Sequence, residues 1–296
     1  MRLFFVLIFL LAGIPAFAQN WREIKSGHFI VFYQPAAESY GSSAGRDNAA
    51  DPEEFGREVL RKAEVYYSKI ADDLGYQRMS EFWTWDKRVK IYIYPDHAGF
   101  VSSFNNPEWA GGAADYAAKT IFSYFGSKDF AGSILPHEIA HLIFRDFVGF
   151  KGGVPLWLDE GVAQWTEETK RQEVKKIVKG MLSGNGMLSM EDMMKLNVDQ
   201  LRNADKVYIR TVPAGGGEKS AAFLTGNNLV MAYYVQAVSL VDFLIEKFGK
   251  NEFTDFCRAL RDGKDLRAAL VSVYGVYMHD LDDLDSQWKD YIENET

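Results

Sequence analysis

Cysteine is nearly absent from this chain: Cys257 is the only one in 296 residues, so no internal disulfide can form. A small extracellular scaffold stapled by disulfides is thereby excluded. Basic charge is also in deficit, with 33 Lys and Arg against 41 Asp and Glu and a net charge of −8. That balance argues against a nucleic-acid partner and favours solubility, but carries no information on substrate. Histidine is scarce, five in all, so any clustering of it is informative. We find no internal repeat and no low-complexity domain.

An almost unbroken apolar run stands at the start of the chain. Arg2 is followed by the apolar stretch Leu3 to Ala12, then Pro15 and Ala16-Phe17-Ala18, small residues at both positions that a signal peptidase reads. The run is shorter than the ~20 residues of a membrane span. Residues 1–18 read as a signal peptide, with an uncleaved anchor as the alternative. No Cys follows the run, which argues against a lipoprotein-type anchor there. After removal of the signal, no stable membrane insertion is expected, and a bacterial periplasm or exterior fits export without disulfides. The rest is long enough for one large domain or two lobes sharing a cleft. The full chain's 47% apolar and 15% aromatic content suffices for a real core.

The patterning divides this remainder. Phe29-Ile30-Val31-Phe32-Tyr33 and Val89 to Tyr94 read as strands, and Gly111 to Phe125 as a strand pair. Between them, Phe55, Val59, Ala63, Tyr66 and Ile70 recur at helical spacing over 52–74. Residues 41–52, rich in Gly, Ser, Ala and Asp, read as a loop. Beyond Gly132 the pattern predicts helices at 133–147, 155–182, 228–248, 251–262, 265–273 and 280–292. Pro155 suits a first helical turn. The Gly215-Gly216-Gly217-Glu218-Lys219-Ser220 stretch lacks phosphate-loop spacing and reads as a flexible surface loop. Strands first and helices afterwards predict an α+β arrangement of two lobes, 19–132 and 133–296. Cys257 falls on an apolar helix face, where burial is the expected fate. The Met-rich positions from Met187 to Met194 read as lobe packing.

One pentapeptide carries chemistry. In His137-Glu138-Ile139-Ala140-His141 the two imidazoles lie one helical turn apart on the same face and can take two corners of a zinc tetrahedron. Glu138, rotated by roughly 100°, is poorly placed to ligate but can reach a metal-bound water. Pro136 puts the pair near the start of the helix. A solvated face with two His and one Glu is the bland alternative. Against it, Ile134, Leu135, Leu142, Ile143 and Phe144 mark a buried helix, in which such groups need partners. A catalytic zinc takes three protein ligands and keeps one position open. Glu160, early on the next helix, is the candidate for the third, and Gly149, Gly152 and Gly153 let the chain reverse between the two. His28, His97 and His279 read as structural or surface residues.

His-Glu-x-x-His, then eighteen residues, then Glu160 within Trp157-Leu158-Asp159-Glu160-Gly161-Val162-Ala163, resembles the gluzincin metallopeptidases. The likeness is to the small peptidase MA-like group and, more distantly, to zinc aminopeptidases and thermolysin-like peptidases. It is strong over residues 134–167 and weaker in His28-Phe29-Ile30-Val31, Ile91-Tyr92-Ile93-Tyr94-Pro95 and Ser239-Leu240-Val241-Asp242-Phe243-Leu244. The resemblance implies a zincin-like two-lobe fold: a mixed N-terminal sheet with helices, a mainly helical C-terminal lobe and the active-site helix between them. It implies Zn2+ on His137, His141 and Glu160, with Glu138 as catalytic base and a peptide or protein as substrate. It also implies an oxyanion donor on a later helix, Tyr234, with Tyr233 as fallback; either residue reads equally as a core aromatic. Asp159 departs from the Asn of the aminopeptidases. Glu167, seven residues after Glu160, is a candidate to orient a ligating imidazole or else an ordinary surface Glu.

In such peptidases substrate adds as a strand to a sheet edge. Trp109 to Asp115 is the candidate edge, its small residues letting a backbone approach. The aminopeptidase Glu that binds a free amino terminus has no counterpart beyond Asp115, so endopeptidase activity is the default. Two other classes remain open: a non-catalytic zinc-binding or scaffolding protein of the same fold, and a zinc hydrolase of a non-peptide bond.

Overall fold

The computed structural model describes residues 21–35, 51–75, 83–104, 110–149, 154–184, 186–197, 207–214 and 218–295. The signal-like segment 1–18, nearly all of the 41–52 loop, Trp109, Gly152–Gly153 and Gly215–Gly217 lie outside them. The described chain forms two compact units, residues 1–72 with 76–143 and residues 73–75 with 144–296. The division falls inside one continuous helix. The architecture is mixed, with a five-stranded sheet and many helices, as an α+β class requires.

The first unit is built on the strands β1 (Arg22–Lys25), β2 (Phe29–Tyr33), β3 (Val89–Tyr94), β4 (Gly112–Asp115) and β5 (Thr120–Tyr124). Their order is β1-β2-β3-β5-β4. The β2, β3 and β5 strands run parallel, and the flanking β1 and β4 are antiparallel to their neighbours. Alternation decides the faces. Phe29, Val31 and Tyr33 register with Val89, Ile91 and Ile93, all buried, and Ile91 pairs with Ile121. Helix α1 (Pro52–Asp73) covers this face with Val59, Ala63 and Ile70. Its buried Gly56 faces the sheet, where an added Cβ would make ordinary contact at 3.4 Å from Ile24 and 3.6 Å from both Val31 and Tyr33. The opposite face is aromatic, with Tyr92 stacked between Phe32 and Phe122. Helix α2 (His97–Phe104), absent from the sequence expectation, seals it with Phe100. Asp96 starts that helix, its carboxylate accepting the Gly99 N–H at 2.7 Å.

Helix α3 (Leu135–Val148) follows β5 through a π turn, Phe130–Ile134. Pro136, one residue inside α3, cannot donate to the carbonyl four residues back and its ring crowds it; the wider turn just ahead relieves that conflict. The Tyr66 hydroxyl of α1 donates to the Ala131 carbonyl and fixes the turn. Gly149, at φ +70°, ends the helix, donating to the Arg145 carbonyl.

The second unit is mostly helical. Its elements are α4 (Leu156–Trp165), α5 (Glu168–Ser183), α6 (Met190–Lys195), the hairpin β6 (Val207–Ala214) and β7 (Glu218–Thr225), α7 (Gly226–Phe248), α8 (Lys250–Arg261), α9 (Leu266–Tyr274) and α10 (Leu281–Glu295). Two expectations are corrected here. The helix expected over 155–182 is two, because the chain turns at Thr166, whose hydroxyl returns to the Ala163 carbonyl, and Glu167 leaves helical geometry at ψ 89°. Glu218-Lys219-Ser220 belong to a strand rather than a surface loop. Met187, Leu188, Met190 and Met193 are buried, as core packing demands.

The centre of this unit is α7. Its segment Asn228–Phe248 is long and apolar enough to cross a membrane, yet 83% of the apolar window is buried within the protein. Three of its buried polar side chains, Gln236, Ser239 and Asp242, find partners on neighbouring segments. Gln236 bonds both backbone groups of Leu188, and Ser239 accepts from the Trp288 indole. Asp242 accepts from Trp165 at 3.0 Å and Tyr291 at 3.1 Å, with the Lys175 ammonium at 3.2 Å. Polar groups so placed tie α4, α5 and α10 to α7 in one register.

Candidate metal centre

From Leu135 to Phe144 every residue of α3 is buried. His137 and His141 therefore project into protein, not solvent, and their Nε2 atoms face each other at 3.2 Å, with the rings nearly perpendicular. A tetrahedral ion with metal–nitrogen bonds of ~2.0–2.1 Å sets two nitrogens about 3.3 Å apart, so the pair already spans one edge of such a site. Glu160, in the first half of α4, completes the group. One donor atom from each of His137, His141 and Glu160 lies within 4.8 Å of the others, and all three residues are buried. Two imidazoles and a carboxylate, dry and convergent, can hold a metal ion; two nitrogens and an oxygen are the donor set of a catalytic zinc.

Glu160 owes its place to its neighbour. A Cβ on Gly161 would lie 2.7 Å from the Ala237 carbonyl oxygen and 2.8 Å from Val241, so only glycine permits α4 to touch the α7 backbone. One turn before Ala237 stands Tyr233, wholly buried. Burial, and secondarily the Glu160 charge, raise its phenol well above the ordinary range, so it stays a neutral donor. Among the described residues its hydroxyl has no hydrogen-bond partner. Tyr234 is half-buried, its ring perpendicular to that of Tyr233 at 5.9 Å.

Asp159 has a specific task. Arg145, one turn beyond His141, grips its buried carboxylate through both Nε and an Nη. The residue preceding Glu160 is thus clamped to the last turn of α3. Glu167 lies past the end of α4 and not on its face; its carboxylate meets the Lys170 ammonium at 2.7 Å.

Glu138 is completely buried, and its Oε2 accepts a hydrogen bond of 2.9 Å from the Tyr116 hydroxyl. Sequence reading did not find Tyr116, which lies in the β4–β5 turn, 22 positions before the base. The Gly112–Asp115 part of the expected edge is indeed β4, the last strand of the sheet. Its glycines serve packing: a Cβ at Gly111 or Gly112 would strike Ile134 at 2.7 or 2.9 Å. Asp115 accepts the Ala118 N–H and fixes the turn. The remaining histidines have structural settings. His28 pairs with Glu64 and stacks on Tyr67, His97 leans on Tyr124, and exposed His279 binds Asp283.

No protein-family model matches this chain, and no curated protein does either.

Proposed function

We propose that the chain is an exported single-zinc metallopeptidase of gluzincin type with a zincin-like fold. The observation that carries this reading is the convergence of the His137 and His141 Nε2 atoms with the Glu160 carboxylate, beside buried Glu138. Parallel strands closed by an antiparallel edge strand and followed by the His-bearing helix support the fold part of it. His137, His141 and Glu160 would hold the ion. When bound, zinc supplies a Lewis acid that polarises a peptide carbonyl and lets a water react near neutral pH.

The chain's own groups do the rest. Glu138 accepts the proton of the attacking water and returns it to the leaving amine. A tyrosine of α7 donates to the developing oxyanion. The resemblance implies Tyr234 for this role, with Tyr233, whose phenol feels the Glu160 charge, as the alternative. The β4 edge offers backbone groups to an extended peptide.

Metal analysis of the purified protein and a peptide-library digest test the reading together. We expect about one zinc per chain. Glu138→Gln should retain that zinc and lose activity by ~10²–10⁴-fold, the usual share of general acid–base catalysis. Zinc without cleavage by the wild type would favour a binding protein, and cleavage unaffected by Glu138→Gln would remove the base from its role.

A further inference from the structure

The metal-binding motif says nothing of how its base is held, and in this fold a residue outside the motif holds it. We infer that Tyr116 is the positioning residue of Glu138, fixing the carboxylate through the phenol hydroxyl; the role rests on the hydrolase reading above. Tyr116 touches two members of the site at once. Its hydroxyl donates to Glu138 Oε2 at 2.9 Å, and its ring packs against the His141 imidazole, centroids 5.3 Å apart at 54°.

The turn that presents Tyr116 is built to aim it. Asp115 accepts the Ala118 N–H at 2.9 Å, and the Thr120 hydroxyl returns to the Ala118 carbonyl at 3.0 Å. Lys119 takes a left-handed φ of 50° and donates to the Tyr116 carbonyl, while its own carbonyl accepts from Lys90 of β3. Each bond removes a freedom of the turn, so the phenol arrives at the carboxylate already oriented. A glutamate side chain otherwise has several rotamers, and ordering it costs entropy. A base displaced by ~1 Å loses about 10²-fold in rate, because proton transfer needs a near-attack geometry. The tie thus acts on kcat through Glu138, without contact to substrate.

Tyr116→Phe keeps the ring and removes only the hydroxyl. We expect kcat to fall by about 10–100-fold, with zinc content and KM held within about twofold of wild type. The tie is read independently of activity in metal-free protein, by a double-mutant cycle of Tyr116→Phe with Glu138→Ala in urea unfolding. Loss of the phenol–carboxyl hydrogen bond should make the unfolding constants non-additive by about tenfold. Asp115→Ala, which loosens the turn but keeps the hydroxyl, should give a smaller fall of kcat alone, and it serves if Tyr116→Phe does not fold. A wild-type kcat in Tyr116→Phe, a fall matched by lost zinc or a raised KM, or an additive cycle would each overturn the role. A coupled cycle in a zinc-loaded wild type that cleaves nothing would instead overturn the hydrolase reading, and the role with it, leaving only a structural hydrogen bond.

Discussion

Asp159 shows how a single side chain can resist reading until its partner is seen. In sequence it was merely a departure from an Asn; in the fold its buried carboxylate is gripped by Arg145. Arg145 keeps partial access to solvent, so Asp159→Ala should cost about 1–3 kcal/mol in urea unfolding, and Asp159→Asn less. Glu64 makes a second case, with a pH signature. Burial raises its pKa, but hydrogen bonds from Ser26 and His28 outweigh burial and hold it below its ordinary 4.5. A depressed carboxylate contributes stability that is present above pH 4.5 and fades as pH falls through the folded value. The stability difference between wild type and Glu64→Gln should therefore shrink in acid, measured as urea midpoints between pH 7 and pH 3. A difference that grew in acid would reverse the assigned sign. The His137 and His141 pair was legible because its spacing along one helix is local, and Glu160 because it follows early on the next helix. Tyr116 was not, because a strand, a π turn and a helix start separate it from the Glu138 it touches.

Among the elements, legibility followed the strength of the periodic signal. The helix over 52–74 and the strands β2 and β3 emerge almost to the residue from alternation and three-four spacing, and β4 and β5 fall within the strand pair expected over 111–125. The break between α4 and α5 has no Gly or Pro to announce it; a Thr hydroxyl and one non-helical residue suffice. The β6–β7 hairpin was hidden by its own Gly run, which signals a loop and only secondarily a turn between strands. Helix α4 depends on one position. Gly161→Ala would force its new methyl into the Ala237 carbonyl, a backbone atom that cannot step aside. We expect a loss of about 1–3 kcal/mol in unfolding free energy. A drop in zinc affinity should accompany it, since Glu160 must shift with the helix; zinc titration of the refolded variant reads this out. An unchanged midpoint would mean that α4 and α7 do not approach as closely as described.

For the whole molecule, ligand binding and folding are one equilibrium. On the proposed zinc reading, ligation by His137, His141 and Glu160 would require a folded chain, so zinc at 100 times its Kd should raise stability by ~2.7 kcal/mol. Chelator should lower the thermal midpoint of wild type and leave that of Glu160→Ala nearly unmoved. Equal shifts in both would sever Glu160 from the ion.

Helix α7 would carry a liability on the journey that the proposed export implies. Threaded unfolded through a translocation pore, its 21-residue stretch would meet lipid before it ever met α4 or α10. Acidic residues near the middle of such a stretch oppose lateral escape by ~2.5–3.5 kcal/mol each. Asp242, which later accepts three donors, would first keep the segment moving. Asp242→Leu should leave part of the chain stranded in the inner membrane, scored by protease protection and alkaline extraction.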